Sequence, residues 1–97
     1  MPLDNEQDHI PLVSIGMPVF NDERFIRQAL DSLLEQSFGD FELIISDDFS
    51  TDGSEQVCRE YAARDSRIRY IRQPKNIGIP RNMEFLLAQS RGEYFMW

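Results

Sequence analysis

Residues 41–53 read FELIISDDFSTDG, an apolar run that passes directly into a pair of carboxylates and a polar loop. A short, continuous apolar run that ends at turn-forming residues is typical of a strand covered on both faces of a parallel sheet. Residues 12–17, LVSIGM, form a second run of this kind, bounded by Pro11 and Pro18. We therefore expect two buried strands that lie side by side at the centre of the sheet.

Amphipathic segments alternate with these runs. Helices are predicted from an N-cap at Asn21 to about Gln36, from Ser54 to about Arg64, and over residues 79–90. Helical spacing places the following apolar residues on the inner faces of the first and third helices: Phe25, Ile26, Ala29, Leu30, Leu33 and Leu34, then Met83, Leu86 and Leu87.

Two shorter strand patterns complete the chain. Residues 68–72 alternate apolar and basic side chains, as an edge strand does, and residues 94–97 begin a fourth strand. Strands that alternate with helices through short loops predict an α/β fold, a Rossmann-like parallel sheet ordered 3-2-1-4 with helices on both faces. Residues 1–10 are polar and without periodicity, and we predict a disordered tail before a single unit over residues 11–97.

Composition limits the class of protein. The 97 residues carry a net charge of −7, which argues against nucleic-acid binding driven by net charge. A single cysteine, Cys58, excludes an internal disulfide and a cysteine-based zinc site. The absence of a long apolar run and of a basic start before residue 10 predicts a cytoplasmic protein.

Charge is distributed unevenly along the chain. Residues 22–55 hold ten acids and two bases, whereas residues 59–81 hold seven bases and two acids. Such runs usually form solvated faces of helices and strands. The alternative is a basic lip beside an acidic pocket, an arrangement suited to a phosphorylated ligand.

Candidate binding residues follow the predicted strands, because open parallel sheets bind ligands beyond the carboxyl ends of their strands. Phe20 could cover the face of a base, whose edge the backbone beside Pro18 could bond. An ionised Asp47 or Asp48 could accept a hydrogen bond from the ring N–H of uracil. Arg81, near the start of a helix, could pair with a diphosphate.

Each candidate also has an ordinary structural interpretation. Phe20 could pack as a staple on the first helix, and Asp47 and Asp48 could form a turn or cap the second helix. Asn76 could be a turn residue and Arg81 a surface residue. Asp52 with Gly53 is interpreted as local turn chemistry.

Five segments in order nevertheless resemble the start of a family 2 glycosyltransferase with the GT-A fold. They are residues 13–21 (VSIGMPVFN), 32–38 (SLLEQSF), 41–53 (FELIISDDFSTDG), 76–78 (NIG) and 91–94 (RGEY). The resemblance covers residues 11–97 and implies the N-terminal, nucleotide-binding half of that fold.

The resemblance implies an inverting transferase that takes a sugar from a nucleotide diphosphate sugar, usually a UDP sugar, and passes it to an unknown acceptor. By the same resemblance, Pro18 and Phe20 flank the base and Asp48 bonds the uracil edge. Asp47 supports that loop, and Asn76 lies near the ribose or diphosphate. Asn21, at the end of the first motif, and Arg81 complete the nucleotide-binding candidates. Phe49 stands where the family usually has glycine.

The resemblance also implies Mg²⁺ or Mn²⁺, with ligands expected after Trp97. We therefore expect residues 1–97 to bind nucleotide without transferring sugar, and to self-associate through the apolar fourth strand. One alternative is a non-catalytic, receiver-like regulatory module, which would place its acidic pair after the first strand. Another is a nucleotidylyltransferase, which would carry a glycine-rich basic loop there. Residues 18–21 read PVFN and favour neither.

Overall fold

The computed structural model describes residues 10–35 and 39–97. Four parallel strands alternate with three helices, and the sheet has the order β3-β2-β1-β4. This order confirms the predicted sheet. The elements are β1 (Val13–Val19), α1 (Glu23–Leu34), β2 (Phe41–Asp47), α2 (Ser54–Arg64), β3 (Ile68–Arg72), α3 (Ile79–Gln89) and β4 (Tyr94–Met96).

Strand β2 is buried along its whole length, as its apolar sequence predicts. It pairs in register with β1 from Val13 opposite Phe41 to Val19 opposite Asp47. Strand β3 lies at the edge of the sheet, in agreement with its alternating pattern. The predicted tail lies outside the described residues except for its last position, Ile10, and so does the predicted end of the first helix at Gln36.

The helices cover both faces of the sheet. On one face, Ile26 and Leu30 of α1 and Val57 and Cys58 of α2 form a core with the residues of β1 and β2 on that face of the sheet. On the other face, α3 lies against β1 and β2. Leu86 of α3 is fully buried, and its Cβ would lie 3.4 Å from a Cβ added at Gly16.

Helix α1 buries a narrower stripe than the sequence predicts. Ile26 and Leu30 are buried, and Leu33 and Leu34 are partly buried, but Phe25 is 63% exposed and Ala29 is also exposed. A flat sheet surface contacts only the central residues of the helical face, so the flanking positions of the predicted stripe were wrong. The same reason accounts for Leu87 of α3, which is exposed.

Cys58 is a packing residue. Its thiol is fully buried, and burial, with the nearby charges of Asp47, Asp22 and Asp52, raises its pKa to about 12. The thiol therefore stays protonated at neutral pH, and a protonated thiol is a poor nucleophile.

A buried carboxylate ties the amino end of β2 to the loop before β4. Glu42 accepts hydrogen bonds from the Ser14 hydroxyl at 2.5 Å and from the Arg91 backbone N–H at 2.7 Å. The Arg91 Nε lies 3.1 Å from the same carboxylate. Burial alone would raise the pKa of Glu42, but these bonds and the charge of Arg69 outweigh burial and lower the pKa.

No helix within residues 10–35 and 39–97 combines the length and the hydropathy that crossing a bilayer requires.

We expect Gly92→Ala to destabilise the protein. A Cβ at Gly92 would lie 2.7 Å from the backbone nitrogen of Ser14, which cannot move without disturbing β1. Such overpacking costs about 1–3 kcal/mol. Urea denaturation measures it, with Gly39→Ala as the control, since among the described residues a Cβ there meets only the Arg67 guanidinium at 3.8 Å. Equal midpoints for the two variants would contradict this packing.

We also expect part of the stability to be lost in acid through Glu42. Because folding lowers the pKa of Glu42 below its ordinary value of 4.5, its contribution is present above that pH. The contribution disappears as the pH falls through the lower, folded value. The free energy of unfolding of Glu42→Gln should therefore lie below the wild type at pH 7 and converge with it in acid. Glu84→Gln, which removes an exposed carboxylate on α3, is the control.

Candidate nucleotide-binding site

A cleft of about 560 Å³ opens at the carboxyl ends of β1 and β2. The chain passes from β1 to β2 and β3 on one side and returns to β4 on the other, so this cleft lies beside the point where the strand order reverses. Open α/β sheets bind ligands at such points. The lining residues are Pro18, Val19, Phe20, Asp22, Asp48, Asn76, Gly78, Ile79 and Asn82.

Four of the predicted site residues line this cleft. Pro18 and Phe20 form the wall from β1, and Phe20 keeps 48% of its surface exposed. Asp48 comes from the end of β2 and Asn76 from the loop between β3 and α3. The structure therefore brings together an aromatic face, a carboxylate and an amide from three separate segments.

Asp48 holds the loop that precedes α3. Its carboxylate accepts hydrogen bonds from the backbone N–H of Ile77 at 2.7 Å and of Gly78 at 3.0 Å. Its carbonyl accepts a third bond, from the Asn76 side chain at 3.1 Å, and its own N–H donates to the Val19 carbonyl at 2.8 Å. Asp48 is only 4% exposed, so these bonds supply the donors that a buried carboxylate requires.

Asn21 lies outside the cleft lining and has a structural role. The predicted N-cap was wrong, because α1 begins at Glu23 and its N-cap is Asp22. Asn21 instead adopts φ 51°, and its side-chain oxygen accepts hydrogen bonds from the N–H groups of Thr51 and Asp52. The residue thus joins the loop after β1 to the loop after β2.

Asp47 is also separate from the cleft lining. It is fully buried, and its carboxylate accepts hydrogen bonds from the Ser50 N–H at 2.9 Å and the Tyr70 hydroxyl at 2.6 Å. Burial and the bond to Asp47 raise the pKa of Tyr70, which stays a donor at neutral pH. The bond from Ser50 ties Asp47 to the loop that follows β2, and its predicted support of a nucleotide site stays a prediction.

Asp52 accepts a local turn bond from the Ser54 N–H at 2.9 Å, but the interpretation of Asp52 and Gly53 as local turn chemistry was incomplete. Asp52 also accepts from the Glu23 N–H at 3.2 Å, and the Gly53 N–H donates to the Glu23 carboxylate at 2.9 Å.

Among residues 10–35 and 39–97, no basic side chain lines the cleft. Arg81 is exposed on the first turn of α3 and does not line it, and neither do the other bases of residues 59–81. Arg72 instead packs over Phe49, with its guanidinium carbon 4.7 Å from the ring centroid. Phe49 adopts φ 66°, a conformation that glycine enters more readily.

Sequence and structure comparisons identify the family. The profile of glycosyl transferase family 2 matches residues 14–97, most of the chain.

This chain belongs to glycosyl transferase family 2.

Relatives in this family agree with the match. The uncharacterised glycosyltransferase EpsJ of Bacillus subtilis is 42% identical over 85 residues, which are 88% of this chain and 24% of EpsJ. Chondroitin synthase of Escherichia coli is 38% identical over 85 residues, 88% of this chain and 12% of that enzyme. The chain thus spans about a quarter or less of the length of these two relatives.

Solved structures confirm the GT-A fold. TarS of Staphylococcus aureus, residues 1–349 in complex with UDP, gives a TM-score of 0.79 at 29% identity, covering 89% of this chain and 26% of TarS. The mannosyltransferase PcManGT of Pyrobaculum calidifontis, in complex with GDP-Man and Mn²⁺, gives 0.75 at 22% identity over 86% of this chain and 25% of that chain. At that identity, the second likeness shows the fold alone.

The part of this family 2 chain that the structure describes does not assemble a metal site. No group of three or more His, Cys, Asp or Glu side chains lies close enough there to hold an ion. The residues that the structure describes therefore offer no ligand set for the divalent metal, whose ligands the family resemblance places after Trp97.

One cleft residue that the sequence analysis missed is Asn82 of α3. It is 2% exposed, its amide nitrogen donates to the Ser46 carbonyl at 3.0 Å, and its amide oxygen accepts from the Ser46 hydroxyl. The signal was an amide at helical spacing from Ile79 and Leu86, on a face that otherwise carries apolar residues. Asp22, Gly78 and Ile79 also line the cleft without having been predicted.

We expect Asp48→Asn to loosen the loop before α3. An amide offers one acceptor oxygen where the carboxylate offers two, so one of the N–H groups of Ile77 and Gly78 loses its partner. A bond to a charged group is worth roughly 1.5–3 kcal/mol, which predicts amide exchange about 10- to 150-fold faster. Hydrogen-exchange NMR without ligand measures it. Asp31→Asn, whose carboxylate bonds Tyr61, is the control, and unchanged exchange at both amides would contradict the role of Asp48.

Proposed function

We propose that the protein transfers a sugar from a UDP sugar to an acceptor with inversion, and that this chain holds the nucleotide of the donor. Family membership supports a nucleotide-sugar donor, and TarS was solved with UDP. The observation that carries the proposal is the cleft at the strand-order reversal, whose lining includes both Phe20 and Asp48. Sugar transfer itself is proposed for the whole protein.

The base is held by stacking and by one carboxylate. Pro18 and the half-exposed ring of Phe20 flank its faces, because aromatic rings stack favourably on bases. Uracil has a ring N–H that donates to Asp48. A carboxylate offers about four lone-pair sites, and the two backbone N–H groups use two of them, so Asp48 can accept the base as well.

The diphosphate lies toward the start of α3. Asn76 and Gly78 line that side of the cleft, and the first turn of α3 follows them directly. Helix N-termini favour phosphate groups, because their N–H groups are free to donate and the helix dipole is positive there. Arg81, exposed on this first turn, adds a guanidinium that can pair with a phosphate from the solvent side.

We expect Phe20→Ala and Asp48→Ala each to weaken UDP binding. Losing a stacking ring costs about 1–3 kcal/mol, or roughly 5- to 150-fold in Kd. Losing a charge-assisted bond costs roughly 1.5–3 kcal/mol, or about 10- to 150-fold. Calorimetry on residues 1–97 with UDP, without added metal, measures both.

The control for Phe20 is Phe25→Ala, which removes a ring of the same type that is 63% exposed and does not line the cleft. A parallel titration with GDP tests the choice of base. Affinity for UDP that is unchanged in both cleft variants would overturn the proposed base site. Binding of GDP as tight as that of UDP would overturn the uracil assignment while leaving the cleft as the nucleotide site.

Three further expectations from the sequence stay predictions. Self-association through β4 is supported by its exposed side chains, since Tyr94 and Met96 keep 62% and 53% of their surface exposed. The other two are the cytoplasmic location and the absence of sugar transfer by residues 1–97.

A further inference from the structure

A second depression lies at the amino ends of the strands, on the opposite side of the sheet from the nucleotide cleft. It has a volume of about 200 Å³, and residues at or just before the start of each of the four strands line it. The seven-residue strand β2 spans roughly 20 Å at about 3.3 Å per residue, so the depression is well separated from the nucleotide cleft. Its lining residues are Pro11, Phe41, Glu42, Ser66, Arg67, Arg69 and Arg91.

Three guanidinium groups and one carboxylate line this depression. Arg91 and Arg69 approach the Glu42 carboxylate to 3.1 and 3.5 Å, and Arg67 pairs with Asp65 at 2.7 Å. The three arginine charges therefore exceed the two negative charges of Glu42 and Asp65. All three arginine side chains keep between 32% and 48% of their surface exposed. Arg67 uses three of its five N–H donors on Asp65 and the Gly39 carbonyl, which leaves two for a ligand.

Arg69 has a donor that the protein does not use. One of its terminal nitrogens donates to the Gln89 carbonyl at 2.6 Å, which fixes the side chain in place. Its Nε is buried and, among the described residues, has no hydrogen-bond partner. A buried N–H without a partner is costly, and a bound anion or water that accepts its hydrogen bond is the usual explanation.

We propose that this depression binds a phosphate group through Arg67, Arg69 and Arg91. Guanidinium forks match the oxygen geometry of phosphate, and the net positive charge of the depression favours an anion. The depression is smaller than the roughly 300–1,000 Å³ of sites for drug-sized ligands. It therefore accepts inorganic phosphate or the terminal phosphate of a longer molecule, such as a lipid headgroup.

The test observes the unused donor directly. Residues 1–97 labelled with ¹⁵N are titrated with inorganic phosphate at constant ionic strength, and the Nε–H signal of Arg69 is followed. We expect a saturable shift, and a Kd at least about 10-fold weaker in Arg67→Gln, which removes one charge-assisted ligand. Arg59→Gln is the matched control, because it removes an equal charge from α2, outside the depression.

A second arm separates the two sources of phosphate. Wild type and Arg67→Gln are sedimented with phosphatidylcholine vesicles with and without phosphatidic acid. Binding to the phosphatidic acid vesicles that is lost in Arg67→Gln identifies a lipid headgroup, whereas a saturable phosphate shift without vesicle binding identifies a soluble phosphate. A non-saturating shift of the Arg69 signal, or an equal Kd in Arg67→Gln and Arg59→Gln, would overturn the site. Arg91→Gln repeats the comparison if Arg67→Gln does not fold.

Discussion

The buried carboxylate of Asp48 is the constraint on which the cleft depends. Its two oxygens hold the N–H groups of Ile77 and Gly78, and its own N–H holds the end of β1 through the Val19 carbonyl. A carboxylate that is 4% exposed needs such donors, since burial without them would be costly. The same bonds bring together three segments that are distant in sequence. The loop before α3 and the end of β1 are therefore held by one residue, the loop through its carboxylate and the strand through its backbone N–H.

Strand β2 organises the loops at both ends of the sheet, because it carries buried carboxylates near both of its own ends. Glu42 accepts hydrogen bonds from Ser14 and Arg91 at the amino end of the strand, whereas Asp47 accepts them from Ser50 and Tyr70 at the carboxyl end. The apolar residues between them bury the strand on both faces. Ionised side chains in such a strand are tolerated only with partners, so each carboxylate fixes the loop that provides its donors.

The alternation of apolar runs and amphipathic segments predicted the sheet order and the edge position of β3, because these follow from periodicity and from short connections. Periodicity does not show how much of a helical face touches the sheet. Phe25 and Leu87 were therefore predicted on the inner faces of their helices, whereas both are exposed in the structure. The preference of asparagine for N-cap positions likewise does not show which distant residues its side chain bonds. Asn21 accepts hydrogen bonds from residues about thirty positions away, and those bonds decide its conformation.

For Asp48, the turn-forming and base-reading interpretations are compatible. Bonds to two fixed N–H groups hold the carboxylate in one orientation before any ligand arrives, so a base meets an acceptor that need not reorganise. The cost is a weaker acceptor, because each lone-pair site already has a neighbouring donor that withdraws charge. Stacking must then supply a large share of the affinity, and the half-exposed ring of Phe20 is placed to do so. Selectivity for the base and overall affinity would thus reside in different side chains of the same cleft.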